Sequence, residues 1–478
     1  MILAIKKYTT LLLLLCLFTT STEAQKYLTV KRLSFNTQSK EFAPAFFNNG
    51  IVFCSDKKND VIFSYTDLSS NPFTNLYHVE QKKPGKFDNP RLLSKELTTI
   101  LNEGPSSFTG DYNTIYFTRN IDVTLGMRYR QREDTALGIF SAQNINGEWG
   151  NITAFRFNRL NYNTGYPCIS KDGTQLFFCS EDPEGYGGYD MYVSTFKNGI
   201  WSQPENLGSN VNTTKNEVFP FIHPSGRLYF SSKRINSNGD LDIYYTVKTD
   251  GVWQKPVALE DPLNSPGDDY GLIWNAAMDT GYFVSDRSGS DDIFMVATNI
   301  PTFTSCMEQQ ENDYCFLFYE PNNNELDTTA FAYEWDLGDG TRIRSLKAEH
   351  CFTKPGTYLV QLNVVDKLTK EVALSQARDS FLVEDIEQPY ITISDTVFTG
   401  NSTDFSGAKT YLPGFETSGY YWDFDDGYRS EGINTNHRFH FPGTYMVQLG
   451  VAGTAASLGD EVPKQCVTRR VVVVNAVK

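Results

Sequence analysis

The sequence predicts an all-β protein: a five-bladed β-propeller, with six blades as the alternative, followed by two immunoglobulin-like β-sandwiches. Two repeats predict this fold. A short Phe-x-Ser phrase recurs five times between residues 50 and 300, and a tryptophan-containing acidic phrase recurs twice after residue 330. A third observation agrees with them, since 14% of the residues are aromatic and aromatic side chains favour sheets.

The Phe-x-Ser repeat predicts the propeller. Most copies precede an Asp-aliphatic-aromatic strand such as Asp242-Ile243-Tyr244. The anchors lie 52 to 64 residues apart, and no interval contains a sixth copy. A period of this size indicates one antiparallel blade per repeat, which buries both faces only when neighbours stack on it. The five anchors are Phe53, Phe117, Phe178, Phe230 and Phe283.

A second phrase, Gly-x-aromatic followed by Pro and Leu, predicts the outer strand of each blade. The repeat that ends near Thr298 has no such phrase, whereas residues 27–33 form one with no blade before it. We therefore predict that the N-terminal segment completes the last blade and closes the ring, which leaves no exposed sheet edge.

The acidic phrase predicts the two sandwiches. It occupies residues 335–340 and 422–427, and in each case a His-x-Phe-x-x-Pro-Gly-Thr-Tyr phrase follows. Alternating strands around a buried Trp, with a tight Pro-Gly turn, are typical of an immunoglobulin-like sandwich. The predicted domains are a signal peptide (residues 1–24), the propeller (25–300) and the sandwiches (301–386 and 387–478).

The N-terminus has the features of a secretory signal. Lys6 and Lys7 precede an apolar run, and Ala24 ends a small-residue cleavage site. No later stretch is long and apolar enough to be expected to cross a bilayer as a helix. The formal net charge of −15 argues against binding to nucleic acid, which requires clustered Lys and Arg. We expect an exported protein.

The two repeats resemble known families. The blades resemble the PD40 or TolB-type WD40-like repeat through Lys171-Asp172-Gly173, residues 283–287 and Asp292-Ile293-Phe294. The sandwiches resemble PKD domains through the acidic and His-x-Phe phrases. Together with a signal peptide, this combination is similar to envelope proteins of Bacteroidota, including propeller components of the type IX secretion and gliding machinery.

The resemblance implies a non-enzymatic binding or scaffold protein of the bacterial cell envelope. Its expected partner is an envelope protein of an outer-membrane secretion or motility assembly, and its expected location is the periplasm or the periphery of the outer membrane. The alternatives are a five-bladed propeller that binds or cleaves glycan, and a cell-surface adhesin. The sequence predicts no catalytic residue and no cofactor, because the common enzyme motifs are absent from it.

Four acidic residues recur at one position near the start of the blades: Glu41, Glu103, Glu217 and Asp269, with Thr164 in the third blade. In a channel layer they would form a cation site or the acid and base of a glycosidase. The alternative is structural, with each carboxylate accepting backbone N–H bonds from the adjacent blade. We favour the structural interpretation, because a catalytic set should differ between blades.

The acidic phrases of the sandwiches are weak calcium candidates. They contain Asp336, Asp339, Asp423, Asp425 and Asp426. Calcium requires six or more oxygen ligands, and a second carboxylate cluster is not evident. We favour turn chemistry, with Asp side chains accepting bonds from their own loops.

Seven cysteines remain after signal cleavage. Cys54 and Cys179 occupy the same blade position, where we expect small residues packed between blades, and a Cys168–Cys179 bridge is geometrically marginal. Cys315 and Cys351 lie on predicted neighbouring strands of the first sandwich, and the second sandwich has no cysteine at either position. We therefore predict a Cys315–Cys351 disulfide.

Overall fold

The computed structural model describes residues 27–57, 73–99, 101–121, 136–234, 240–320, 328–394, 396–455 and 462–476. These residues contain strands and no helix, and none of them forms a helix able to cross a membrane. The chain divides into two compact units, Met1–Asn299 and Ile300–Lys478. The predicted signal peptide lies outside the described residues.

The first unit contains, in its described residues, five antiparallel sheets, one for each Phe-x-Ser repeat. Strand β1 (Leu28–Arg32) comes first in the chain. The first sheet contains β2 (Glu41–Phe47), β3 (Gly50–Ser55), β4 (Asn75–Lys83), β5 (Lys86–Phe87) and β6 (Arg91–Leu92), and the second contains β7 (Glu103–Phe108), β8 (Thr114–Asn120), β9 (Leu137–Ile145) and β10 (Glu148–Ala154). The third sheet contains β11 (Thr164–Ile169), β12 (Gln175–Ser180), β13 (Asp190–Lys197), β14 (Ile200–Trp201) and β15 (Glu205–Asn206). The fourth contains β16 (Glu217–Ile222), β17 (Leu228–Ser232), β18 (Asp242–Thr246) and β21 (Val257–Ala258), with the separate hairpin β19 (Lys248–Thr249) and β20 (Val252–Trp253), and the fifth contains β22 (Asp269–Trp274), β23 (Thr280–Ser285) and β24 (Asp292–Thr298).

The first strands of the five sheets contact one another in a closed cycle, from β2 through β7, β11, β16 and β22 back to β2. Each sheet is therefore a blade of a propeller. The Phe anchors, on the second strand of each blade, are at most 2% exposed. Each lies directly opposite an aromatic residue on the third strand, as Phe230 lies opposite Tyr244. This cross-strand aromatic pair explains why the two parts of the repeat occur together.

The N-terminal strand completes the last blade, which confirms the predicted closure. Strand β1 pairs antiparallel with β24, from Leu28 opposite Thr298 to Arg32 opposite Phe294. Arg32 donates two bonds to the buried carboxylate of Asp292, at 2.7 and 2.8 Å.

A buried asparagine strengthens the same joint. The Asn36 side chain bonds both the N–H and the C=O of Ile293. The same pair of hydrogen bonds recurs in three other blades, where Asn158 bonds Ile139, Asn212 bonds Met191 and Asn264 bonds Ile243. The N-terminal segment thus repeats the connection that links other outer segments to their blades.

The second unit contains two sandwiches. After β25 (Met307–Glu308), the first sandwich has β26 (Cys315–Tyr319) paired with β29 (Lys347–Cys351), and a sheet of β28 (Arg342–Ile343), β27 (Phe331–Asp336), β30 (Gly356–Asp366) and β31 (Val372–Val383). The second has β32 (Thr392–Ile393), β34 (Ser402–Ser406) and β37 (Asn434–Arg438) facing β39 (Lys464–Val474), β38 (Gly443–Gly453), β35 (Thr417–Asp423) and β36 (Arg429–Glu431), with β33 (Val397–Phe398) beside β39.

The two recurring phrases of each sandwich contact each other. Trp335 and Trp422 are buried, as predicted. In each sandwich the His of the second phrase bonds an Asp of the first, with His350 Nε2 and His437 Nε2 each 2.7 Å from the carboxylates of Asp339 and Asp426. The two phrases are therefore parts of one contact.

The structure joins Cys315 to Cys351, which face each other on β26 and β29. A second disulfide, which the sequence analysis does not predict, joins Cys306 to Cys466. The other described cysteines, Cys54, Cys168 and Cys179, are buried free thiols. The marginal Cys168–Cys179 bridge is not formed, because Cys168 pairs with Phe177 and Cys179 with Gly165.

Replacing Arg32 by Ala should lower the free energy of unfolding of the propeller by about 2 kcal/mol, because the buried Asp292 carboxylate loses two charge-assisted bonds. Urea denaturation followed by tryptophan fluorescence measures the change. Lys40→Ala is the control, since Lys40 contacts Asp291 from an exposed position and should change stability by less than about 1 kcal/mol. Equal effects of the two variants would contradict the role of Arg32.

Replacing both Cys315 and Cys351 by Ser should destabilise the first sandwich by about 3 to 4 kcal/mol, because the disulfide closes a loop across 36 residues. Thermal denaturation of the oxidised full chain measures the loss. Non-reducing peptide mapping provides the check on connectivity, and recovery of Cys351 as a free thiol would refute the pairing.

Candidate functional site

The candidate site is a cavity of about 360 Å³ at the centre of the propeller. The first strands of all five blades line it, together with the turns that follow four of these strands. Most of the lining is apolar or aromatic, Lys171 is its one charged side chain, and no carboxylate lies among the lining residues that the structure describes.

A β-bulge in each first strand shapes the cavity. In every blade the pairing of the first strand with the second slips by one residue near the start of the first strand. One residue per bulge has a positive φ, and in four blades a proline that lines the cavity follows. Proline suits this place because it has no N–H to leave unpaired. The bulge residues are Ala43, Gly104, Tyr166, Phe219 and Gly271, and the prolines are Pro44, Pro105, Pro167 and Pro220.

The bulges also join neighbouring blades. The N–H of Tyr166 donates to Thr118 Oγ1 at 2.9 Å, and the N–H of Gly271 donates to Ser231 Oγ at 3.3 Å. The N–H of Phe219 donates to the Cys179 thiol in the same way. In these three phrases the middle residue is a small residue whose side chain accepts a bond from the next blade. Burial raises the pKa of the Cys179 thiol well above its ordinary value, so this thiol stays protonated.

The four recurring carboxylates lie at the first residue of their strands, at most 2% exposed, and outside the cavity lining. Each accepts bonds from the N–H and the hydroxyl of a Thr or Ser four residues earlier: Thr37 for Glu41, Thr99 for Glu103, Thr213 for Glu217, and Ser265 for Asp269. The donors differ from the expected ones, because they belong to the loop that enters the same blade.

Arginines accompany the carboxylates, and the sequence analysis did not identify them. Arg287 lies 5.2 Å from the Phe283 ring centroid and 2.7 Å from the Asp269 carboxylate. Arg234 and Arg119 lie over Phe rings in the same manner, near Glu217 and opposite Glu103. The third blade has Thr164 bonded to Ser180 in place of the carboxylate. The sequence does mark these arginines, since Arg234 and Arg287 each follow their anchor Phe by four residues and Arg119 takes the place of Ser in its phrase.

Glu103 differs from the other three carboxylates. Its Oε2 atom has no hydrogen-bond partner among the described residues. Burial raises the pKa of Glu103 to about 7, although bonds from Thr99 and the charge of Arg119 oppose the shift. Glu103 therefore exchanges a proton near neutral pH without facing the cavity.

An aromatic cluster forms part of the cavity wall. The Phe219 ring centroid lies 4.8 Å from those of both Tyr166 and Tyr270. Ser106 also lines the cavity, but its Oγ atom is buried away from solvent and has no hydrogen-bond partner among the described residues. A buried hydroxyl without a partner is costly, so this hydroxyl lowers the stability of the propeller.

The aspartates of the sandwiches accept bonds from their own turns. Asp336 and Asp423 each accept a backbone N–H two residues later and an Arg side chain. Asp339 and Asp426 each accept a turn N–H and a His, and Asp425 accepts the N–H of Met446. These contacts match the turn interpretation, which the sequence favours over calcium binding.

Replacing Glu103 by Gln should remove a pH dependence from the stability of the propeller. A folded-state pKa of about 7, against 4.5 for the ordinary group, means that the folded protein holds the proton more tightly. The stabilisation that this bound proton provides is complete below pH 4.5 and is lost as the pH rises through 7. Between these pH values the free energy of unfolding of the wild type, relative to that of the variant, should fall by about 3 kcal/mol, as measured by urea denaturation.

The other buried carboxylates are present in both the wild type and the E103Q variant, so the difference between their free energies of unfolding reports on Glu103 alone. Asp269→Asn is the matched comparison. It removes the acceptor of Arg287 and should destabilise the propeller at every pH, by about 3 kcal/mol. A wild-type-minus-E103Q difference that does not change with pH would contradict the assignment.

Comparison with known proteins gives one family match and several structural similarities. The PKD domain model matches residues 312–379 and 387–462. Among solved structures, the chain is similar to a putative TolB from Agrobacterium tumefaciens, at 12% identity over 73% of this chain and 88% of that chain, with a TM-score of 0.34. It is also similar to a gluconolactonase from Xanthomonas campestris, at 11% identity over 57% and 91% with a TM-score of 0.35, and to TolB from Acinetobacter baumannii, at 14% identity over 65% and 60% with a TM-score of 0.30. The predicted all-β class, a propeller followed by two sandwiches, is confirmed by the strand topology, and the family match covers both sandwiches.

Proposed function

We propose that the protein is a non-enzymatic, exported binding or scaffold protein of a bacterial cell envelope. It docks a protein of an outer-membrane secretion or motility assembly at the mouth of the central cavity. The observation that carries this proposal is the cavity of about 360 Å³, whose described lining is apolar and aromatic and contains no carboxylate.

The chemistry of the lining favours a partner that inserts apolar side chains. Burying apolar groups in a preformed, largely apolar cavity is favourable, and a few polar groups then fix the orientation. Lys171, the charged side chain of the lining, favours an acidic group of the partner. The carboxylates that hydrolysis of a glycan would need are bonded to loops outside the lining.

The location follows from the predicted signal peptide and the resemblance to envelope proteins. We place the protein in the periplasm or at the periphery of the outer membrane. The sandwiches act as a spacer or a second docking point on the same chain, since loops and faces on a rigid scaffold are common binding sites.

Site-specific photo-crosslinking in native envelopes tests the docking surface. A photoreactive residue at Ala276, an exposed position in the cavity lining, should give one specific protein adduct. The same residue at Lys197, an exposed position on β13 outside the lining, should give none. Equal adducts from both positions, or none from Ala276, would contradict docking at the cavity.

Two substitutions in the lining provide a sharper test with the captured partner. Lys171→Glu should weaken binding about tenfold without destabilising the propeller, because Lys171 is an exposed side chain of the lining. Ser107→Ala should destabilise the propeller, since Ser107 Oγ accepts the N–H of Ile169 in the next blade. Calorimetric titration and thermal denaturation measure the two effects. If purified protein instead releases reducing ends from cell-wall glycan, the glycan-cleaving alternative is correct.

A further inference from the structure

Residues 302–310 lie on the second sandwich before the chain enters the first. Strand β25 pairs parallel with β39, with Met307 beside Val467 and Glu308 beside Thr468. The N–H of Gln309 donates to the Thr468 carbonyl at 2.8 Å. The sequence analysis assigns these residues to the first sandwich, whereas in the structure they form an edge strand of the second. We call residues 302–310 the strap.

The second sandwich is shaped to receive the strap. A Cβ atom at Gly450 would lie 2.4 Å from the ring of Phe303, so only glycine leaves room for this ring. The first sandwich has Asn363 at the matching place, one residue after the leucine that faces its tryptophan in both sheets. The glycine therefore occurs in the sandwich that the strap crosses.

A covalent bond fixes the strap. Cys306 is joined to Cys466 across 160 residues, and the whole first sandwich and strands β32 to β38 of the second lie between these two cysteines in the sequence. The first sandwich is thus a covalently closed insertion between one edge strand of the second sandwich and the rest of it.

We propose that this arrangement makes the second unit a tension-bearing tether whose load path bypasses the first sandwich and strands β32 to β38 of the second. Tension applied between Ile300 and the end of β39 passes from Cys306 to Cys466 and then along β39. A strand is already close to full extension at about 3.3 Å per residue, so tension along it adds almost no length. This role is independent of what the propeller binds.

The bypass predicts a definite missing length. While the disulfide is intact, the 160 residues that it closes into a loop cannot be extended, and they correspond to about 530 to 580 Å of extended chain. Under oxidising conditions the first sandwich stays folded at forces that would extend an ordinary tandem of domains. Reduction of Cys306–Cys466 places both sandwiches in the load path.

Optical-tweezers extension of the full exported chain, with handles at both ends, tests the proposal. The oxidised wild type should reach a final length shorter by about 530 to 580 Å than the same protein in a thiol reductant. Cys306→Ser with Cys466→Ser should gain this length without reductant, apart from the loop that Cys315–Cys351 still closes. If the variant does not fold, the comparison of the wild type with and without thiol reductant still tests the proposal.

The other disulfide supplies the matched control. Cys315→Ser with Cys351→Ser should leave the final length of the oxidised protein unchanged, because these cysteines lie inside the bypassed segment. The same pair of changes added to the Cys306→Ser, Cys466→Ser variant should add 36 residues, or about 120 to 130 Å. A wild type that extends fully without reductant, or a gain in length in the control, would overturn the proposal.

Discussion

The propeller depends on one hydrogen bond that a blade cannot make alone. The bulge in each first strand takes a backbone N–H out of the ladder of its own sheet, and a buried N–H without an acceptor is costly. In the blades that begin with β11, β16 and β22, the small residue of the preceding Phe-x-Ser phrase accepts it. Each of these blades is complete only when the blade before it is in place, so the ring is a cooperative unit rather than a row of independent sheets.

Much of the fold was predictable because its main contacts leave regular traces in the sequence. The aromatic pair across the second and third strands fixes both the Phe anchor and the Asp-aliphatic-aromatic strand. The closure by residues 27–33 was predictable because one outer-strand phrase was surplus at the start and one was missing at the end. In the sandwiches, the His-Asp contact fixes two phrases at a constant spacing.

The cavity lining was not predictable from the same patterns. Strict alternation along the first strand places Glu41 and Ala45 on one face, but the bulge at Ala43 adds a residue and changes which side chains point inward. The structure therefore has prolines and bulge residues around the cavity, and carboxylates bonded to the entering loops. The strap was also missed, because a two-residue strand carries no periodicity, and sequence order suggests that consecutive segments belong to consecutive domains.

The joint between β1 and β24 determines when the propeller can finish folding. Its bonds connect residues 257 to 268 positions apart, although the two strands are neighbours in space. Contacts between such distant residues form slowly, because the closure entropy of the whole loop is lost before they contribute. Until then, the outer edge of β24 has unpaired backbone groups that another chain can pair with. The last blade therefore stays open to such pairing with another chain until the N-terminal strand of its own chain has paired with it.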